Sequence, residues 1–242
     1  MHVRSRWRLA ISRLGFGRWS RRLLVMGLLA GPLAVAAQPA TNEPQAFAVA
    51  QRAFSDGVFD VAERQFAEFT QTFPQSPQLP EAILFQAQAR LKQDKLAPAL
   101  ELLATNLDKA GAIADQYRYW QGKGYLQSSN CAAAAETFAR LARDFTNSVL
   151  LLEASYSEAE ARFRLGELPQ VVGLLQRGDG NFQKAAKVRA NDALVARGFL
   201  LLADALLALK EFKSSEQVVT GLADKLLALG RPHVVGVARL RG

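Results

Sequence analysis

A phrase of about 35 residues recurs five times along this chain, and any fold it adopts must repeat with it. Each copy reads as two amphipathic helices joined by a tight turn. A small residue sits mid-way along the first helix: Ala50, Ala87, Gly122, Ala159 and Ala203. The turn follows at Asp56-Gly57, Gln93-Asp94, Ser128-Ser129-Asn130, Gly166 and Lys210. Next comes Phe59, Leu96, Cys131, Leu168 or Phe212, and one turn later Ala62, Ala99, Ala134, Val171 or Ser215. Measured from Phe59 through to Phe212, the intervals are 37, 35, 37 and 44 residues.

The period within each copy is helical. From Phe59 onward, Ala62, Phe66, Phe69 and Phe73 fall at steps of three and four, which puts them on one face. Glu63, Gln65, Glu68 and Gln71 take the other face. Pro74, Pro77 and Pro80 then end the helix and open the next unit. The small central residue lets the second helix approach closely, and Gly or Asp accommodates the reversal. The large residue after the turn is expected to fill the gap between paired helices. A single hairpin cannot bury its apolar faces, so neighbours must stack. The run Arg177-Gly178-Asp179-Gly180-Asn181 interrupts the fourth interval. It reads as an inserted polar loop before an extended first helix.

The pattern resembles the tetratricopeptide repeat (TPR), with five copies over 43–228. The resemblance implies an all-α, right-handed α-α superhelix of about five helix pairs. It also implies that the first helix of each pair lines a groove that binds protein or peptide segments. The residues flanking the central small one would face that groove: Phe47, Gln51, Phe54 and Ser55 in the first copy, and Leu84, Gln88, Leu91 and Lys92 in the second. Tyr119, Lys123, Leu126 and Gln127 follow in the third, and Tyr156, Glu160, Phe163 and Arg164 in the fourth. Of these, Phe54, Leu91, Leu126 and Phe163 continue the helix-pair stripe and are expected to pack the core. The stretch from Gly57-Val58-Phe59 to Phe73-Pro74-Gln75-Ser76-Pro77 is similar to the BamD-like and YbgF-like exported proteins of Gram-negative bacteria. That likeness implies a role in outer-membrane assembly or maintenance.

The N-terminus agrees with export. The first 37 residues hold seven arginines and no acid, and the apolar run 23–37 ends in Ala34-Val35-Ala36-Ala37. A basic stretch, a short apolar stretch and small residues before a processing site make a secretory signal peptide. Fifteen residues with Gly31 and Pro32 among them are short for a span of roughly 20. Cleavage is expected near Ala36 or Ala37, giving a periplasmic protein that touches the membrane only through its leader or its partners. An uncleaved inner-membrane anchor is the alternative. Ser20-Arg21-Arg22-Leu23-Leu24 also fits a twin-arginine signal. No cysteine stands near the processing site, so a lipoprotein is not expected.

The leader also explains the charge. The whole chain carries 30 basic and 22 acidic residues, a balance of +8, and seven of the basic residues are leader arginines. The remainder is near neutral and has no long basic run, which argues against nucleic acid as a partner. Cys131 is alone, so no intrachain disulfide can form. The two histidines, His2 and His233, flank the repeats, so nucleophile-histidine catalysis has no base within them. Metal and nucleotide motifs are missing, and no cofactor is expected. Glu153, Glu158 and Glu160 are the nearest approach to a carboxylate pair, and their spacing reads as ordinary helix-surface charge. The expectation is a non-catalytic scaffold. The rival is the helical part of a larger cell-wall enzyme, to be settled by the gene beyond Gly242. The stretch 229–242 is a basic tail after the helix break at Gly230 and Pro232, with no clear capping helix.

Overall fold

The computed structural model describes residues 42–228. The leader, the tail and both histidines lie outside the described residues. Five helical hairpins follow in chain order: α1 (Glu43–Ser55) with α2 (Phe59–Thr72), α3 (Leu79–Lys92) with α4 (Leu96–Thr105), α5 (Ala114–Gln127) with α6 (Cys131–Asp144), α7 (Leu151–Arg164) with α8 (Leu168–Gln176), and α10 (Ala193–Ala208) with α11 (Phe212–Ala228). There is no strand among the described residues. Each helix packs mainly on its chain neighbours, and each first helix also touches the next first helix.

The hairpin turns share one backbone device. Gly57, Asp94, Ser129, Gly166 and Lys210 all have positive φ, between 59° and 77°. A left-handed residue reverses the chain while the amide two positions past the helix end bonds back into it. Val58 N–H, Lys95 N–H, Asn130 N–H, Glu167 N–H and Glu211 N–H each donate to a carbonyl five residues earlier. Glycine adopts this geometry freely, whereas Asp94, Ser129 and Lys210 hold it at a steric cost.

Behind the turns lie the close contacts that the repeated small residues require. Ala50, Ala87, Ala159, Ala62, Ala99, Ala134 and Val171 are wholly buried, and Ala203 and Ser215 are almost so. At the third pair a Cβ on Gly122 would lie 2.6 Å from the ring of Phe138, so only glycine lets α6 come this close. In the fifth pair the Ser215 hydroxyl donates to the carbonyl of Ala203 at 3.0 Å, turning the small-residue contact into a hydrogen bond. One expectation fails here: Phe212, after the last turn, is 63% exposed and does not fill its hairpin. Phe59, Leu96, Cys131 and Leu168 at the equivalent place are half-buried.

The long interval also needs correcting. Residues 177–180 form a loop, but α9 (Asn181–Val188) follows as a separate helix, and α10 then begins afresh at Ala193. Asp192 caps α10 by accepting from the Leu194 N–H at 2.8 Å. Phe182 on α9 is wholly buried against Gly198 of α10, where a Cβ would meet its ring at 2.2 Å. Arg189 fastens the segment by donating to Glu153 of α7 at 2.8 Å and to Asp192 at 2.5 Å. Between α4 and α5 two short 3-10 turns, Leu107–Lys109 and Gly111–Ile113, take the corresponding place.

Starts of α2, α3 and α4 recur 72 residues later in α6, α7 and α8. The true unit is therefore a pair of hairpins, 43–114 and then 115–186. A buried clasp marks both copies. Ser76 donates its hydroxyl to Glu43 at 2.5 Å and accepts from the Gln78 N–H at 2.9 Å. Ser148 donates to Asp115 at 2.6 Å and accepts from the Leu150 N–H at 3.0 Å. Each clasp ties the loop after a second helix to the start of the first.

Candidate protein-binding groove

The first helices α3, α5 and α7 enclose an open cleft of about 590 Å³. Leu91, Leu126 and Trp120 give it an apolar floor, and Lys92, Lys123 and Arg164 give it positive charge. Glu160, Gln127 and Ser129 complete the wall. Helical spacing explains the arrangement. Trp120, Lys123 and Gln127 rise at steps of three and four along α5, so they share one face. Lys92 and Arg164 close the ends of α3 and α7 at positions 72 residues apart, so the paired-hairpin unit delivers a cation from each side.

The charges are not equally compensated. Arg164 is ion-paired with Glu160 one turn earlier on α7. The matching residue on α3 is Gln88, which carries no charge to offer Lys92. Among the described residues neither Lys92 nor Lys123 forms an ion pair. Gln127 donates to the carbonyl of Leu91 and to Asp94, both at 3.1 Å, fixing the lip of the cleft between α3 and α5. Nearby phenols are held neutral. Burial, with Glu153 close by, pushes Tyr119 up; burial, with Glu160, does the same to Tyr156, against Arg197 and Arg164.

Of the residues singled out from the sequence, Lys92, Lys123, Gln127, Glu160 and Arg164 come together here. Phe47 and Leu84 lie in the core, 4% and 3% exposed, and Gln88 is also buried. Phe54 packs edge-on against Phe59 and Phe85. Gln51 and Tyr156 are half-buried outside the cleft, and Tyr119 packs against Phe138 and Trp120. Leu91 and Leu126, expected in the core, are largely buried yet offer the cleft an edge. Trp120 was expected to pack the core and instead divides itself between core and cleft. Its place one turn before Lys123 was the available signal. Tyr117, two turns from Gly124, is the aromatic of that run that is wholly interior, and its hydroxyl donates to the Pro80 carbonyl at 2.7 Å.

The three carboxylates of α7 each have their own arginine. Glu153 takes Arg189, Glu158 takes Arg162 at 2.9 Å, and Glu160 takes Arg164. Burial pushes the Glu158 carboxyl up, against the pull of Arg162. No group of three potential metal ligands occurs among the described residues, and no helix there is long and apolar enough to cross a membrane.

Comparison with solved structures places this architecture among tetratricopeptide-repeat proteins. The chain is similar to a kinesin light chain with nearly identical TPR-like repeats from Podospora anserina, at 15% identity and a TM-score of 0.62 over 78% of this chain and 96% of that one. MamA protein is similar at 13% identity and a TM-score of 0.61, covering 77% and 92%. A tetratricopeptide-repeat protein from Parabacteroides merdae matches at 14% identity and a TM-score of 0.56, covering 81% and 77%. No family model matches the chain. No curated protein matches it either.

Proposed function

Because the chain has the tetratricopeptide-repeat fold and so the architecture of a protein-interaction scaffold, we propose that it is exported to the bacterial periplasm and binds another protein through its first-helix wall. The observation that carries this reading is the cleft between α3, α5 and α7. It has an apolar floor, two lysines without ion-pair partners and a rim already ordered by hydrogen bonds. Such a surface anchors a polypeptide by its side chains and orders little on binding. The arginine-rich leader supports export, and the likeness of the first repeat to envelope proteins supports a role in outer-membrane assembly or maintenance.

The test is affinity capture from envelope extracts, comparing the native chain with Lys92→Ala plus Lys123→Ala. Glu68→Ala plus Gln71→Ala, both exposed on α2, serves as the control. Loss of a captured protein in the first pair alone supports the reading. Capture unchanged by the cleft pair and lost with the α2 pair overturns it. Sequencing the N-terminus of the exported protein tests the leader, since cleavage at Ala36 or Ala37 is expected and an intact Met1 refutes it.

A further inference from the structure

Resting on that reading, we propose that the cleft takes an extended, acidic segment internal to its partner, with carboxylate side chains spaced about three residues apart. The charge balance is the first reason. Three cations face the cleft, and its single carboxylate, Glu160, is already engaged by Arg164. Lys92 and Lys123 therefore stand in a half-enclosed site with no acid to neutralise them among the described residues. In the first 72-residue unit the neutral Gln88 stands where the second has Glu160, and that substitution leaves Lys92 uncompensated. Asp204 occupies on α10 the register position of Lys123 on α5, so by register the positive stretch ends at α7.

Spacing is the second reason. The three cations come from three successive first helices, each touching the next. Packed helices lie about 8–10 Å apart. An extended polyproline-II segment rises about 3.1 Å per residue with three residues per turn, so every third side chain returns to the same side at about 9 Å. Acidic residues at that interval meet Lys92, Lys123 and Arg164 in turn, while apolar residues between them reach Trp120, Leu91 and Leu126. A phosphate backbone suits the cleft less well. The floor offers a single indole, and Glu160 with Asp94 at the lip would repel a continuous row of phosphates.

The probe is a fluorescein-labelled, C-terminally amidated peptide with Asp or Glu at every third position and Leu or Pro between, titrated into the full chain by anisotropy. Three comparisons accompany it: the same peptide with Asn and Gln for its acids, a single-stranded oligonucleotide of equal charge, and the K92E/K123E chain with its helicity verified by circular dichroism. The acidic peptide is expected to bind at least tenfold more tightly than its amide counterpart. It should weaken at least tenfold on K92E/K123E and weaken as salt rises, because half-exposed charges are screened. The milder Lys92→Gln should give a smaller loss in the same direction. Equal binding of the acidic and amide peptides overturns the acidic specificity and leaves the groove reading standing. Tighter binding of the oligonucleotide overturns a protein segment as the occupant. Failure of both peptides overturns the inference, and the capture experiment then shows separately whether the groove reading falls with it.

Discussion

The units 43–114 and 115–186 share a backbone but balance their buried charge differently. Arg90 and Arg162 occupy the same position, 72 residues apart. Arg90 reaches back to Glu63 on the preceding helix at 2.9 Å, and Lys95 and Gln93 meet the same carboxylate at 2.7 Å and 2.9 Å. In the second unit the place of Glu63 is Ala135. Arg162 instead binds Glu158 of its own helix at 2.9 Å and Glu167 of its own turn at 2.7 Å. The first network joins two hairpins, and the second stays within one. One fold position thus tolerates two electrostatic solutions, provided the buried guanidinium finds a carboxylate within reach.

The comparison breaks most sharply if the arginines are removed. Arg162→Met leaves Glu158 buried without its cation and should cost about 3 kcal/mol at neutral pH. Arg90→Met leaves Glu63 bonded to Lys95 and Gln93 and should cost about 1 kcal/mol. Urea unfolding measures both, and equal losses would show that the networks are interchangeable. Because repeat arrays unfold in parts, hydrogen exchange in α7 and α3 should report the losses locally.

Close packing gives the next contrast. Gly122→Ala drives a Cβ into the Phe138 ring and should cost about 2 kcal/mol. Ala50→Gly at the equivalent place in the first unit should cost about 1 kcal/mol, from backbone freedom. Thermal melts that rank them the other way would show that α6 sits further from α5 than the structure has it.

Removing the clasp hydroxyl by Ser76→Ala or Ser148→Ala should cost about 1.5 kcal/mol, and by the same amount, since both bond a carboxylate in the same setting. Unequal losses would make one unit the anchor of the array.

Acid separates the two networks by sign. Burial raises the Glu63 carboxyl, but the bonds from Lys95, Arg90 and Gln93 outweigh it and hold Glu63 below its ordinary value. Its contribution is present above the unfolded value and is lost as pH falls through the folded one. Burial holds Glu158 above its ordinary value despite Arg162, so its contribution is present below the unfolded value and is lost as pH rises through the folded one. From about pH 3 to about pH 4.5, the stability difference between wild type and Glu63→Gln should move in favour of wild type. Above about pH 4.5, the difference for Glu158→Gln should move in favour of the variant. Slopes of the same sign would contradict the assignment. The smallest effect is expected outside both units, where Lys210→Gly should add about 1 kcal/mol by relieving a lysine at φ 63°.

Much of this was legible in advance because it is local. Steps of three and four fix which residues share a helix face, and a left-handed turn residue is announced by Gly57 or Gly166. Thus all five hairpins, their turns and the buried small residues could be placed from the sequence. The clasp and the 72-residue unit were harder to see, since they depend on single polar residues 33 positions apart and not on a continuous pattern. α9 was hidden by its brevity and by the glycines before it, and its reason to fold is Phe182 finding Gly198.

By itself, then, the amino-acid order determined an all-helical repeat of hairpins and the leader that precedes it. Only tertiary packing decided which first-helix residues meet a partner. Gln88 and Leu84 share α3 with Lys92, yet the neighbouring hairpins bury the first two and leave the third open. The physical reason is that helical periodicity records a residue's angle around its own axis, whereas access to a cleft depends on how the adjoining helices are rotated and spaced.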